Sequence, residues 1–243
     1  DNVAYASPPL GAYSELRIIS EKVLVKIPKG ISHKVAATLM TKGLTVYYLL
    51  CKTYKLRAGE TVLYHAAAGG VGQIFSQWAK SMGCTVIGTV GSDDKIEIAE
   101  NNGCEHVINY SKNNFSKKVM EITKGVGVSA VFDGVGKNTF EGSIECLKAR
   151  GMMVSFGNAS GPLDLVDVPK HIQGKSLYLT RPTMKDYYST REELIEGANA
   201  VFEKIKFGMI KVSIFKEYKL EDAKQAHIDL ESRRITGPSI LTP

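Results

Sequence analysis

The stretch from Thr61 to Gly72 constrains the fold of this chain more than any other part of the sequence. It begins with the apolar segment TVLY, typical of a buried strand, and runs into a turn of small residues, HAAAGGVG. A helix is predicted next, because apolar residues recur at helical spacing from Val71 to Met82, before Gly83 ends it. A strand, a glycine turn and a helix in this order let backbone N–H groups approach a diphosphate at the positive end of the helix. The pattern therefore predicts a dinucleotide site, with contacts at Gly69, Gly70, Val71 and Gly72.

The match to the usual G-x-G-x-x-G pattern is incomplete. Ala67 stands at the first glycine position, while Gly69 and Gly72 fill the other two. A tight turn between a strand and a helix, with no ligand, is the alternative reading. The context favours the dinucleotide site, because several more units of strand and helix follow.

That alternation predicts an α/β fold, in which a doubly wound parallel sheet is covered by helices on both faces. The predicted strands are 61–65, 85–90, 106–109, 129–133, 150–156 and 176–180. The predicted helices between them are 71–82, 93–102, 115–123 and 138–147.

At the two ends of the chain, the predicted strands and helices do not follow the regular alternation of the middle part. Before the sheet we predict strands at 12–19 and 22–27 and helices at 33–40 and 44–54; after it, a helix at 191–207, a strand at 211–218, a helix at 220–231 and a strand at 239–241. Residues 43–181 are therefore predicted to form one domain, inserted between residues 1–42 and 182–243 of a second.

Composition favours a protein of the cytoplasm. Hydrophobic residues make up 44% and charged residues 23%, no run of 18 apolar residues suggests a membrane helix, and no signal peptide opens the chain. The four cysteines are widely spaced, which favours free thiols. The net charge of +6 is spread along the chain, so binding of nucleic acid is possible but disfavoured.

Seven segments together resemble one family, the NADPH:quinone oxidoreductase (zeta-crystallin-like) branch of the medium-chain dehydrogenase/reductase superfamily. They are KGLTVYYLL (42–50), HAAAGGVG (65–72), GTVGSDDK (88–95), VINY (107–110), FDGVG (132–136), VSFGNASG (154–161) and ESRRITGPSILTP (231–243). The resemblance implies a Rossmann-type domain inserted in a GroES-like, β-rich catalytic domain that is truncated here, since the chain opens at Asp1 rather than at Met. It also implies NADPH as hydride donor, a quinone or conjugated enone as acceptor, and a homodimer. Binding of NADPH with weak or no turnover is then expected of this chain alone.

The tip of the second strand favours NADPH over NADH. A site for NAD normally carries an Asp or Glu there, whereas this strand ends in Gly91 and Ser92. Ser92 and Lys95 are predicted to bind the 2′-phosphate, and Asp93 and Asp94 are interpreted as first-turn residues of the next helix. The resemblance places three residues around that phosphate: Lys95, Tyr110 and Arg233.

Contacts to the nicotinamide side follow from chain direction, because ligands of parallel sheets lie beyond the carboxyl ends of the strands. The residues predicted there are Gly134, Ser155, Phe156, Gly157 and Asn158. Tyr48 is added by resemblance alone, and Tyr47 is read as packing. Ordinary turns and core packing are the alternative for each.

No metal site is predicted. The stretch Leu39–Lys42, where zinc dehydrogenases of the superfamily supply a cysteine, holds no Cys, His or carboxylate, and the five histidines show no ligand spacing. A quinone or enone is already electrophilic, so orientation by the protein supplies much of the catalysis. No catalytic proton donor is identified.

Two other functions stay open. One is an NADPH-dependent enoyl thioester reductase of the same superfamily, and the other is a module that binds single-stranded RNA on the same fold. A methyltransferase-like fold shares the glycine turn but usually has an acid at the end of the second strand. Residues 176–180 close the series of strands and are the candidate edge for dimerisation.

Overall fold

The computed structural model describes residues 1–6, 9–232 and 235–243. In chain order the strands are β1 (Val3–Ala4), β2 (Val25–Lys26), β3 (Thr61–Tyr64), β4 (Thr85–Val90), β5 (His106–Asn109), β6 (Val128–Asp133), β7 (Leu147–Ser155), β8 (Tyr178–Thr180), β9 (Lys216–Lys219) and β10 (Ser239–Thr242). The α-helices are α1 (His33–Tyr47), α2 (Gly70–Ser81), α3 (Ile96–Asn101), α4 (Phe115–Ile122), α5 (Phe140–Cys146), α6 (Val168–His171), α7 (Met184–Tyr187), α8 (Arg191–Lys206) and α9 (Ala223–Glu231).

Six strands form one parallel sheet in the order β5-β4-β3-β6-β7-β8. Numbered within the sheet, this is the doubly wound order 3-2-1-4-5-6, in which the crossovers diverge between β3 and β6. The predicted α/β class and Rossmann-type sheet are confirmed. The carboxyl ends of β3 and β6 therefore meet at the switch point where ligands of such sheets bind.

Alternation along the buried strands builds a core on each face of the sheet. Tyr64 and Phe132 belong to one cluster with Phe75 of α2, while their neighbours Leu63 and Val131 belong to another. Burial on both faces leaves β6 with six consecutive buried residues. The centre of β6, Ala130 to Phe132, accordingly has three apolar residues in succession rather than alternating polar and apolar positions.

The prediction of two helices, 33–40 and 44–54, is wrong in one respect. Helix α1 is continuous across Gly43 and runs into a π-helical turn at Tyr48–Thr53. A Cβ on Gly43 would lie 2.6 Å from Cγ1 of Val201 in α8, so this glycine allows close helix packing rather than ending a helix. The predicted domain division between residues 42 and 43 falls inside α1, and the division remains a prediction.

The flanking strands are shorter than predicted. Residues 12–19 follow an irregular path in which Leu16 and Ile18 stay exposed, because no strand of the described chain pairs with them. The predicted strand at 22–27 becomes a 3₁₀ turn at Glu21–Val23 followed by β2, which pairs with β1. The strand predicted at 211–218 begins only at Lys216, in β9, and pairs in parallel with β10.

None of the described helices is both long enough and apolar enough to span a membrane.

Candidate dinucleotide site

A cleft of about 540 Å³ lies at the carboxyl ends of β3, β4 and β6. Four of the predicted contact residues line it: Gly69, Gly91, Lys95 and Tyr110. The loops after β6 and β7 supply the facing wall, through Val135, Asn138, Thr139, Ala159 and Ser160. The glycine turn, the tip of β4 and the loops after β6 and β7 therefore surround one cleft. A dinucleotide site requires this arrangement.

The start of α2 packs closely against the backbone of the glycine turn. A Cβ on Gly72 would lie 2.5 Å from the carbonyl oxygen of Ala67 and 2.7 Å from that of Ala66. Within the turn, the N–H of Gly69 donates to the carbonyl of Ala66 at 2.9 Å. The first three amides of α2, at Gly70, Val71 and Gly72, have no backbone acceptor among the described residues. These N–H groups are free to bind an anion.

The alanine at the first motif position has a structural explanation. Ala67 is fully buried, and its Cβ lies 2.7 Å from where a Cβ on Gly88 would stand. A methyl group therefore fits in the turn because the neighbouring strand β4 carries glycine at this point. The glycine that the motif lacks at position 67 is thus replaced by Gly88 on the neighbouring strand, which leaves the space for the methyl group of Ala67.

Tyr110 lies over the tip of β4. Its hydroxyl is 3.0 Å from where a Cβ on Gly91 would stand, so a larger residue at 91 would crowd the phenol. Lys95 borders the same cleft, and Ser92 precedes it along the chain as a half-buried residue in extended conformation. Arg233, the third residue expected around a 2′-phosphate, lies outside the described residues.

The acidic residues next to this tip do not cap the following α-helix. Asp93 begins a 3₁₀ turn, and α3 starts only at Ile96. The Asp93 carboxylate accepts from Asn109 Nδ2 at 2.6 Å and pairs with the ammonium of Lys112, which holds the pKa of that carboxyl below its usual range. Asp93 is therefore committed to the loop after β5 and does not take the place of the acid found in NAD sites.

The predicted nicotinamide-side residues are packed against one another. A Cβ on Gly157 would lie 2.4 Å from the carbonyl oxygen of Gly134, and the ring of Phe156 lies 3.1 Å from the Cβ position of Gly134. Ser155 is 1% exposed, and its Oγ has no hydrogen-bond partner among the described residues. Its carbonyl accepts from Arg181 Nη1 at 2.8 Å.

The remaining predicted contacts are not on the wall of this cleft. Gly70 borders an adjoining cavity. Those outside the lining are Tyr48, Val71, Gly72, Ser92, Gly134, Ser155, Phe156, Gly157 and Asn158. Tyr48 is 3% exposed and stacks on Tyr187, with ring centroids 4.7 Å apart, and burial raises the pKa of its hydroxyl.

A buried carboxylate that the sequence reasoning missed holds the loop after β6. Asp133 Oδ1 accepts from the N–H groups of Val135 at 2.7 Å and Gly136 at 3.0 Å, and Oδ2 accepts from Thr139 Oγ1 at 2.7 Å. Val135 and Thr139 line the cleft. An aspartate at the end of a buried strand and directly before Gly-Val-Gly was the available signal, since such residues bond the backbone of the turn that follows.

The same network reaches the glycine turn through His65. Its Nε2 lies 2.9 Å from Ser143 Oγ, which donates to the Thr139 carbonyl at 2.7 Å, and its Nδ1 lies 2.8 Å from Thr89 Oγ1. Burial lowers the pKa of this histidine. Neutral His65 therefore links β3, β4 and α5 beneath the cleft.

Among the described residues, no three His, Cys, Asp or Glu side chains come together as a metal site. The absence of a bound metal remains a prediction.

The six parallel strands, with a glycine turn at their switch point, define the chain as a Rossmann-type dinucleotide-binding protein. A family model described as zinc-binding dehydrogenase matches residues 70–203, more than half of the chain. Quinone oxidoreductase from Pseudomonas aeruginosa is 48% identical over 243 residues, which span 100% of this chain and 75% of that protein. The chain belongs to the quinone oxidoreductase family of the medium-chain dehydrogenase/reductase superfamily.

Two further relatives widen the comparison. A 2-haloacrylate reductase of a Burkholderia species is 42% identical and matches 100% of this chain and 74% of its own length. The crystal structure of Escherichia coli quinone oxidoreductase complexed with NADPH superposes with a TM-score of 0.96 at 47% identity, over 99% of this chain and 74% of that one.

Proposed function

We propose that this chain acts in an NADPH-dependent reductase whose acceptor is a quinone or a conjugated enone. The observation that carries the cofactor assignment is the tip of β4, where Lys95 and Tyr110 border the cleft beside Gly91 and the adjacent Asp93 is held by other partners. A lysine and a phenol suit a phosphate dianion, whereas NAD sites need an acid at this position. The relative solved with NADPH supports the same cofactor.

Residues on the wall of the cleft and next to it suit such a cofactor along its length. The open amides of Gly70, Val71 and Gly72 would hold the diphosphate, and Lys95, Tyr110, Ser92 and Arg233 the 2′-phosphate. The unpartnered Ser155 hydroxyl is a buried polar group beside the predicted nicotinamide contacts Gly134, Phe156, Gly157 and Asn158, and Tyr48 is retained as a proposed contact on that side. When bound, NADPH supplies the hydride.

The acceptor class rests on the relatives and on chemistry. Two relatives are named for quinone and haloacrylate reduction, and both compound types carry an electron-poor conjugated system. Such acceptors need mainly to be held near the hydride donor, at about 3–3.5 Å between reacting atoms, with water excluded. The rigid β6 loop, fixed by Asp133, suits that positioning task.

The cofactor assignment is tested by changing Lys95 to Ala. The dissociation constant for NADPH is expected to rise about tenfold, while that for NADH changes less than about twofold, because only NADPH carries the 2′-phosphate. Titration by nicotinamide fluorescence measures both constants. Lys117→Ala, which removes an exposed lysine of α4, is the matched control and should change neither.

An equal effect of Lys95→Ala on both cofactors would contradict the assignment. For the acceptor, the rate of NADPH oxidation is compared between 1,4-benzoquinone and a crotonyl thioester, after subtraction of the rate without protein, because the turnover expected of this chain alone is weak at most. Faster oxidation with the quinone is expected, and the reverse order would favour the enoyl thioester reductase.

A further inference from the structure

A second cavity, of about 320 Å³, adjoins the cleft at Gly69. Its lining joins the start of α2 to the C-terminal strand β10 and to Lys42 of α1. Gly70 borders this cavity, whereas Lys95 and Tyr110 border only the larger cleft. A ligand lying across the first turn of α2 therefore faces both spaces.

Lys42 lies directly over the first residue of α2. Its Cε is 2.7 Å and its Cδ 3.0 Å from where a Cβ on Gly70 would stand, so the lysine side chain lies against the start of the helix. The side chain is half-buried, and its ammonium has no hydrogen bond or ion pair with any residue that the structure describes. Burial without a counter-ion lowers the pKa of Lys42.

The electrostatics of this position are unfavourable without a ligand. The N-terminus of a helix carries about half a positive charge, so a cation placed there is repelled rather than stabilised. The described residues that line the cavity include no Asp or Glu that could neutralise the charge of the lysine. A half-buried lysine at this end of a twelve-residue helix makes sense if an anion occupies the space between them.

A buried hydroxyl supplies a second, independent sign of a missing partner. Ser239 borders the same cavity, and its Oγ is shielded from solvent and has no hydrogen-bond partner among the described residues. A buried polar group without a partner costs about 1–3 kcal/mol, and such groups are rare in native proteins. Like Lys42, Ser239 can donate a hydrogen bond to an anion.

We propose that Lys42 and Ser239 bind the diphosphate of the dinucleotide together with the open amides of α2. This inference rests on the proposed function, because it takes the dinucleotide as the anion. The inference assigns different phosphate groups to different residues. Lys95 and Tyr110 select the 2′-phosphate, whereas Lys42 neutralises the negative charge of the diphosphate, which NADPH and NADH both carry. Lys42 therefore contributes affinity, not cofactor preference.

The test compares two fragments of NADPH on the full chain. Adenosine 2′-monophosphate carries the 2′-phosphate without the diphosphate, and 2′-phospho-ADP-ribose carries both. Lys42→Met is expected to weaken 2′-phospho-ADP-ribose about tenfold and to leave adenosine 2′-monophosphate unchanged, as measured by calorimetry. Ser239→Ala should act in the same direction with a smaller effect, and Lys80→Met, at the other end of α2, is the control.

Thermal unfolding separates a binding role from a structural one. Without ligand, Lys42→Met should unfold at the same temperature as the parent or higher, because an uncompensated charge is removed; with 2′-phospho-ADP-ribose its temperature should rise less than that of the parent. Undiminished affinity for 2′-phospho-ADP-ribose, or equal weakening of both fragments, would overturn the inference. If the parent itself binds neither fragment, the proposed function fails as well.

Discussion

At the scale of single residues, the absence of one methyl group decides how closely α2 approaches the glycine turn. The Cβ that Gly72 lacks would meet two backbone oxygens, which cannot rotate away as a side chain does. Glycine at this position is therefore a packing requirement as well as part of a dinucleotide pattern.

Gly72→Ala is expected to lower the free energy of unfolding by about 1–3 kcal/mol, the usual cost of adding a methyl group to a closely packed site. The same change displaces the amides at the start of α2, so the affinity for NADPH should fall as well. Urea unfolding and a fluorescence titration measure the two effects.

Gly174→Ala provides the control, because a Cβ there meets no atom within 4 Å. Its stability should stay within about 0.5 kcal/mol of the parent. A Gly72→Ala protein as stable as this control would show that the turn relaxes easily and is not held by its contacts.

At this scale, residue types with a local chemical meaning allowed a prediction of contacts from the sequence, which stays a prediction. Gly69, Gly91, Lys95 and Tyr110 were predicted, and the structure places all four on the cleft wall. Lys42 was not singled out because it is one of 31 basic residues, and only its position over Gly70 in space distinguishes it from the others.

At the scale of elements, the junction of α1 and α8 shows how packing overrides propensity. Glycine weakens a helix interior by about 1 kcal/mol relative to alanine, and two separate helices, 33–40 and 44–54, were predicted on either side of Gly43. The structure has a continuous helix there because Val201 packs into the space that the glycine leaves.

The junction can be tested with a double-mutant cycle. Gly43→Ala should destabilise the protein by about 1–3 kcal/mol despite its better helix propensity, because the new Cβ collides with the stiff, β-branched Val201. Val201→Ala alone should also destabilise, through a cavity.

The double variant should be more stable, by about 1 kcal/mol or more, than the sum of the two single changes predicts. The reason is that Val201→Ala removes the collision with the new Cβ at position 43, and that Cβ fills part of the cavity left by Val201. Chemical denaturation of all four proteins gives the coupling. Simple additivity would mean that the two helices do not press on each other at this point.

At the scale of the whole molecule, the sheet ends in an exposed edge. Strand β8 pairs with β7 on one side, and no strand of the described chain lies on its other side. Tyr178 is 58% and Leu179 38% exposed there. Open strand edges with apolar side chains favour pairing with another chain, so a homodimer through β8 remains our prediction.

Tyr178→Glu together with Leu179→Glu is expected to convert the dimer into a monomer, because two carboxylates on each copy would face each other across the interface. Light scattering after gel filtration measures the mass. Val126→Glu changes an exposed apolar residue elsewhere on the surface and should leave the mass unchanged. Light scattering is measured at protein concentrations of about tens of micromolar. A parent protein that is monomeric at such a concentration would contradict the dimer through β8.

The sequence by itself determined the alternation of strands and helices, the parallel sheet and the glycine turn at its switch point. These follow from hydrophobic periodicity and from the missing side chains of glycine, which act over a few neighbouring residues. The short flanking strands were predicted less well, since the alternation at 12–19 resembles a strand but no partner in the described chain covers Leu16 and Ile18.

Only the tertiary structure decided which distant residues share a space. It joined Asp133 to Thr139 and His65 beneath the cleft, placed Lys42 over Gly70, and let Ala67 replace a glycine because Gly88 lies opposite. Each of these depends on contacts between segments that are separate in sequence, and no local pattern specifies such contacts before the chain has packed.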